Sequence, residues 1–439
     1  MKRNSLLASS AIVLLGSIVM SGCGSREGAS GEAGSNQAAT PSNVQEKAAD
    51  KPVRLTLLAS EAYLYNDDFQ LLLVEPLKKK YPHITVDLIR PGAGTQIQDL
   101  VAAKSVPDLV ILSRASKDQY KELGLTTDIL PLLKKAQIDL NRFRPGVVEG
   151  FGDNGQVYGL PYATNTNALY YNEELFDKFG VEYPKDGLLW DDVLAIARKM
   201  TRMDGGVQYK GYDYFMNYWL GYPLSLPLVD KSTGKAAINN DAWKNVFQLM
   251  KSFDDIPGNQ KSPSYAKAFT EERTLAMVGT INLFPLLKQA SSQGFRWNLV
   301  EFPGYKEKPH VAPPVDLHEI MVSRTSEHKE EAIRVIEVMT SEEVQLISAR
   351  KTGRASALNN RQIEEQLGAE IPYLQGKNIA AIFKSKPAPV RDETKTDDQI
   401  KRIIDKNFAQ VRNGAIDINT FMRQSEEEAN NWIAAEKNK

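Results

Sequence analysis

Two β-prone runs of this chain are separated by four small polar residues, and that interruption restricts the possible folds more than any other feature. Residues 157–161 (Val-Tyr-Gly-Leu-Pro) predict a short strand and residues 168–171 (Ala-Leu-Tyr-Tyr) an apolar one, with Thr164-Asn165-Thr166-Asn167 between them. Asn172 then stands in a capping place before a helix, and Trp190-Asp191-Asp192 opens another. Extended residues with short polar side chains can absorb a hinge rotation while their backbone groups stay solvated. The segment therefore reads as a crossover between two lobes.

Length agrees with this, because 439 residues are too many for one ordinary core. Hydrophobic residues make up 42% and charged residues 25%, the balance of a globular protein. A formal net charge of −1 provides no global field for nucleic acid or an anionic surface, so no nucleic-acid partner is expected. The single cysteine, Cys23, follows Lys2, Arg3, an apolar run over 6–20 and the small residues Ser21 and Gly22. That run is too short for a comfortable membrane span. It looks like a bacterial lipoprotein signal over 1–22, with Met20 where leucine is commoner, cleaved before Cys23 so that the thiol is acylated. An ordinary secretory signal with an incidental cysteine is the alternative. Residues 23–51 are rich in Gly, Ala, Ser, Asn and Glu and would form a flexible tether. An exported chain with no second cysteine has no intramolecular disulfide, so its fold must rest on packing.

Beyond the tether, strands are expected over 53–58, 84–89 and 108–112, with helices over 67–80 and 96–104 between them. This is a βαβαβ unit, in which ligands bind outside the carboxyl ends of the strands, so loops 59–65 and 113–117 should face a cleft. After the crossover come a helix over 190–203, an aromatic run over 209–222, a short strand over 236–238 and a helix over 241–253. A strand over 274–279, a helix over 284–291 and a strand over 297–302 follow. Residues 303–314 carry four prolines and suit neither a central strand nor a helix, so they read as the return to the first lobe. A strand over 318–323, helices over 329–340 and 342–351, and a third crossing at 354–358 complete that lobe. Helices over 397–411 and 418–435 should pack on the second.

Motifs for catalysis are missing: there is no Gly-x-Ser-x-Gly, no Walker-type glycine loop and no His-Glu-x-x-His. The four histidines, His83, His310, His318 and His328, show no metal spacing, so neither a metal nor a cofactor is expected. Asp316-Leu317-His318-Glu319 is the one cluster with catalytic-looking composition. Asp316 and His318 share a face if a strand begins there, and either ligand contact or a solvated strand edge fits. Arg350, Lys351 and Arg354 near the third crossing could read an acidic sugar or cap the preceding helix.

Residues 161–178 resemble the signature of the extracellular solute-binding proteins of bacterial ABC importers, sugar-binding branch. They supply a small residue (Ala168), two large apolar residues (Leu169, Tyr170), then Tyr171-Asn172, Phe176 and Lys178. Tyr162 departs from the pattern, standing where an aliphatic residue is usual. The likeness continues through Pro107-Asp108-Leu109-Val110 and residues 269–277, and is weakest after Gly368. The resemblance implies a two-lobed α/β fold of the periplasmic-binding-protein type (type II), each lobe a mixed sheet flanked by helices, with a cleft between them. Residues 52–163 with 316–357 would form the N-terminal lobe, and 164–315 with 358–439 the C-terminal lobe. It also implies a monomer, lipid-anchored on the outer face of the cell membrane, that hands a carbohydrate to the permease subunits and is not an enzyme.

Sugar recognition needs planar polar side chains for the hydroxyls and aromatic faces for the C–H patches of the ring. Glu61, Tyr63, Ser113 and Arg114 lie on the cleft loops and are candidates, although exposed loop residues are polar in any case. Family members present a ligand-contacting side chain at Asn165 and an aromatic platform at Asn217, Tyr218 and Trp219. Thr280 and Asn282 follow the strand over 274–279, a place where the family often has a tryptophan and this chain has none. Asp316 and His318 complete the set. Three other readings stay open: the same fold with a peptide, polyamine or metal-chelate cargo, a sensory partner of a membrane kinase, and a surface glycan hydrolase using Asp316 and Glu61. Incubation with labelled oligosaccharides separates binding from hydrolysis: stoichiometric capture without turnover is expected, whereas steady product release would favour the enzyme.

Overall fold

The computed structural model describes residues 51–145, 147–389 and 395–438, so Cys23, the signal and nearly all of the tether lie outside the described residues. The strands in chain order are β1 (Val53–Ala59), β2 (Ile84–Ile89), β3 (Leu109–Ser113), β4 (Gly159–Asn165), β5 (Asn167–Asn172), β6 (Arg202–Asp204) and β7 (Val207–Tyr214). They continue as β8 (Val229–Asp230), β9 (Lys235–Ala236), β10 (Leu275–Ile281), β11 (Trp297–Val300), β12 (Val311–Ala312), β13 (Asp316–Val322) and β14 (Lys386–Pro387). Two five-stranded mixed sheets result, ordered β2-β1-β3-β13-β4 and β11-β5-β10-β7-β6, with two short ribbons, β12-β14 and β8-β9. In the first sheet β1 pairs parallel with β2 and β3, while β13 runs antiparallel to β3 and β4. Leu55 and Leu57 of β1 are fully buried, as the apolar alternation requires.

The crossover is narrower than its sequence suggests. β4 runs through Asn165 and β5 starts at Asn167, leaving Thr166 alone outside a strand. The polar side chains do not interrupt pairing because each backbone position finds a ladder partner: Thr164 and Asn165 oppose Leu317 and Asp316 in one sheet, and Asn167 opposes Ile281 in the other. The return through residues 303–314 includes β12, which pairs parallel with β14, so the prolines around it tolerate a two-residue edge ribbon. At the third crossing the Thr164 N–H donates to the Ala355 carbonyl at 2.8 Å, and Leu358 bridges to Phe143.

One hairpin has no counterpart in the sequence reading. The helix expected over 190–203 ends at Met200, and β6 and β7 then pair around Gly205-Gly206. Both glycines have positive φ, 56° and 81°, the geometry of a two-residue hairpin turn. The helix expected over 67–80 forms as Asn66–Phe69, a wider π turn at Gln70–Val74, and Glu75–Lys80. Asn172 caps its helix as expected, accepting the Leu175 N–H at 3.2 Å, and Gly180 ends that helix with φ 64°.

The C-terminal helices Lys395–Arg412 and Ile418–Lys437 pack on the helix Asp241–Asp254. Phe247, fully buried, meets Phe421 at 4.9 Å and Phe408 at 5.8 Å between ring centroids. Truncating a ring in such a site leaves a cavity that neighbours fill incompletely. Phe247→Ala is therefore expected to reduce stability by about 3–5 kcal/mol in urea unfolding; a loss below about 1 kcal/mol would mean that these helices are not docked there.

Candidate functional site

Where β3 and β4 end and β13 begins beside the crossover, the side chains of Ser113, Asn165, Asp316 and His318 form one hydrogen-bonded group. Antiparallel register puts His318 opposite both Ser113 and Ala163, and Asp316 opposite Asn165. The Ser113 hydroxyl donates to Asp316 Oδ1 at 2.8 Å, and Asn165 Nδ2 donates to Asp316 Oδ2 at 3.1 Å. His318 Nε2 lies 3.4 Å from Asp316 Oδ2 and 3.1 Å from Asn165 Nδ2. Tyr63 covers the imidazole, with ring centroids 4.7 Å apart. From the second sheet, Asn282 Nδ2 donates to Asn165 Oδ1 at 3.3 Å, so the network crosses from one lobe to the other. Burial pushes the Asp316 carboxyl up, but hydrogen bonds from His318, Ser113 and Asn165 and the His318 charge outweigh it, and the group titrates below its ordinary range.

A bulge aims this group. His318 pairs with Ala163 and Glu319 with Pro161, so Tyr162 is the extra, unpaired residue of β4. Tyr162 is the residue that departs from the family pattern, and its hydroxyl donates to the Tyr63 carbonyl. Proline suits the position next to a bulge because it has no N–H to offer the ladder.

Further along β13 stands a buried ion pair. Arg114 Nη2 reaches Glu319 Oε1 at 2.5 Å and also the Val147 carbonyl, while Arg114 Nη1 and Glu319 Oε2 are buried without partners. Burial pushes the Glu319 carboxyl up to about 7, against the pull of Arg114.

The facing wall is aromatic. Phe215, Trp219 and Tyr222 form a continuous surface, with Trp219 5.3 Å from each of the other two rings and edge-on to Phe215. A cavity of about 380 Å³ lies between this surface and the polar wall, lined by Arg114, Lys117 and Asp316 on one side and by Phe215, Tyr218 and Trp219 on the other. Asp398 and Lys401, from the helix Lys395–Arg412, also line it. A second cavity of about 940 Å³ adjoins it, and Gly150 and Val315 line both.

Of the expected site residues, Tyr63, Ser113, Asn165, Asn282, Asp316 and His318 meet in the polar network, of which Asp316 alone lines either cavity; Arg114, Tyr218 and Trp219 line the smaller cavity with it. The other three are placed elsewhere. Glu61 is exposed and lines neither cavity. Thr280 is fully buried, its hydroxyl 3.4 Å from that of Tyr265. Asn217 spends both ends of its amide on Asp405 and Arg412, which fastens the aromatic loop to the helix Lys395–Arg412. No ring comes from the loop after β10, where Phe284 is buried against Tyr170 and Trp297. Phe215 and Tyr222 belong to the aromatic run noted in the sequence. Lys117 falls in the loop 113–117 expected to face the cleft, whereas Asp398, Lys401 and the larger cavity had no local signal. Among the described residues no group of three or more His, Cys, Asp or Glu could hold a metal, and no helix is long and apolar enough to cross a membrane.

The sequence profile of the bacterial extracellular solute-binding proteins matches residues 73–368, more than half of the chain, and the chain belongs to that family. It is 26% identical over 201 residues to the arabinooligosaccharide-binding protein of Bacillus subtilis strain 168, a match covering 42% of this chain and 44% of that one. The chain thus aligns with less than half the length of that relative. In structure it resembles an ABC substrate-binding protein of Listeria monocytogenes solved with cycloalternan, with a TM-score of 0.71, 21% identity, and coverage of 88% of this chain and 100% of that one. UgpB of Mycobacterium tuberculosis, solved with glycerophosphocholine, has a TM-score of 0.69 at 15% identity, covering 89% of this chain and 100% of that one. These likenesses place the chain in the two-lobed binding-protein fold.

The tight seat of Arg114 is testable. A Cβ on Gly150 would stand 2.2 Å from Arg114 Nη1, too close for both groups to keep their places. Gly150→Ala is expected to displace the guanidinium and destabilise the protein by about 1–3 kcal/mol, read as a lower melting temperature. An unchanged melting temperature would show that Arg114 is free to move aside.

Proposed function

We propose that this protein is the lipid-anchored substrate-binding component of an ABC importer, capturing a sugar or oligosaccharide between its lobes and delivering it to the permease. The observation that carries this reading is the pairing of walls across one cavity. Asp316 of the first sheet, with Arg114 and Lys117 just after β3, faces the rings of Phe215, Tyr218 and Trp219, the combination that hydroxyls and C–H patches require. The arabinooligosaccharide specificity of the Bacillus subtilis relative supports a sugar cargo. Cavities of about 380 and 940 Å³ that share a wall exceed together the roughly 300–1,000 Å³ of a pocket for a drug-sized ligand. That favours several sugar units over one. The lipoprotein-type signal before Cys23 supports an anchor at that thiol and a position on the outer face of the membrane.

Capture follows from a difference in affinity between two arrangements of the lobes. A ligand that touches the aromatic wall and the polar wall together gains contacts when the cleft narrows, and so shifts the population towards the closed state. The residues of the network suit binding better than hydrolysis. A general acid needs a raised pKa, whereas Asp316 is held below its ordinary range, and Glu61 does not line either cavity. A second reading comes from the glycerophosphocholine bound to UgpB, which makes a phosphodiester the alternative cargo.

Calorimetric titration with arabinotriose, maltotriose, mannotriose and glycerophosphocholine tests the reading. A sugar is expected to bind, and binding of glycerophosphocholine alone would transfer the assignment to the phosphodiester. Trp219→Ala and Asn165→Ala are each expected to weaken sugar binding by about tenfold or more, equivalent to about 1.4 kcal/mol, without loss of fold by circular dichroism. Unchanged affinity would remove that residue from the site.

A further inference from the structure

The larger cavity is not explained by a platform for neutral sugar rings. Its walls carry the cations Arg144, Lys308, Lys384 and Lys386 against one carboxylate, Glu364. Arg144 is bound to Glu364 at 2.7 Å, and Lys384 is paired with Asp186. Among the described residues the Lys308 ammonium meets the Leu224 carbonyl at 2.9 Å and no carboxylate, and the Lys386 ammonium forms no ion pair. Among the described residues, two positive charges in one compartment thus have no carboxylate partner.

The remaining lining narrows the chemistry further. Asn, Gln and free carboxylate side chains, which exchange hydrogen bonds with neutral hydroxyls, are missing from these walls apart from Glu364. The Thr164 and Ser385 hydroxyls are engaged by the Ala355 carbonyl and by Glu301. Prolines such as Pro145, Pro223, Pro313 and Pro387 contribute apolar surface and no N–H donors. Besides the Thr166 and Ser225 hydroxyls, the side chains left for recognition are the ammonium groups of Lys308 and Lys386, which donate and never accept, the complement of an acceptor-only anion.

We propose that this compartment binds an acidic substituent of the cargo, a carboxylate on a uronic-acid unit, while the neutral part of the same oligosaccharide lies on the aromatic wall across Gly150 and Val315. The inference rests on the sugar reading above. Residues 382–389, which form much of this compartment, lie beyond the stretch matched by the family profile. Of the two lysines, Lys386 lies beyond that stretch and Lys308 within it.

The test is calorimetry on matched pairs, xylotriose against xylotriose carrying a 4-O-methylglucuronic acid branch, and galactotriose against trigalacturonate. For at least one pair the acidic member is expected to bind about tenfold tighter at low ionic strength, with the advantage shrinking at about 0.3 M salt as screening shortens the reach of the lysines. The double variant Lys308→Gln/Lys386→Gln is expected to lose that advantage while keeping its melting temperature and its affinity for the neutral member. Equal affinity for both members of every pair, or a preference retained by the double variant, overturns the proposal and leaves the sugar reading standing. If no oligosaccharide of either kind binds, both fall together.

Discussion

The carboxylate of Asp316 is the point on which the architecture and the site both depend. It opens β13, the strand by which the chain re-enters the first sheet, and it is hydrogen-bonded by Ser113 at the end of β3 and by Asn165 at the end of β4. Asn165 is in turn bonded by Asn282 from the second lobe. Between β4 and β5 there is one residue, Thr166, so any rotation of one lobe against the other passes beside this network. Strand register makes the arrangement specific. A slip of one residue would turn Asp316 and His318 to the opposite face and bring Leu317 in their place.

The aromatic wall is supported differently, by charges beneath it. Arg412 reaches Asp254, the Tyr214 hydroxyl and Asn217, and Asp405 holds the other end of the Asn217 amide. Lys261 pairs with Asp213 and lies 4.1 Å from the centre of the Tyr214 ring. Burial pushes the Asp254 carboxyl up and the Lys261 ammonium down, although their partners pull the other way. Side chains fastened this way keep few alternative rotamers, which lowers the entropy lost when a ring takes up a ligand. Asn217 thus matters to the cleft as an anchor for its neighbours Tyr218 and Trp219.

Much of the fold was legible in the sequence because its elements obey short-range rules. The capping place of Asn172, the strand at β1 and the C-terminal helices all formed as read. The hairpin at Gly205-Gly206 escapes a periodicity reading because Arg202, Met203 and Asp204 are exposed and carry no alternating apolar pattern. The crossover is shorter than its Asn and Thr side chains suggest, because strand pairing is made by the backbone. Among site residues, those at strand ends could be located from the βαβαβ rule. Thr280 and Asn217 could not be separated from their neighbours in that way, since which side chain faces inward depends on packing around it.

The sequence by itself determined the order of strands and helices, the place where the chain crosses between sheets, and the absence of recognised catalytic motifs. These are patterns confined to a few neighbouring residues, where propensity, capping and periodicity act. Tertiary structure decided the rest: the meeting of Ser113 with Asp316 across 203 positions, the burial of Arg114 against Glu319 across 205, and the bulge at Tyr162 that aims them. It also brought Lys308 and Lys386 to one compartment. Such contacts follow from register and close packing between distant segments, and neither leaves a mark in the local composition of the chain.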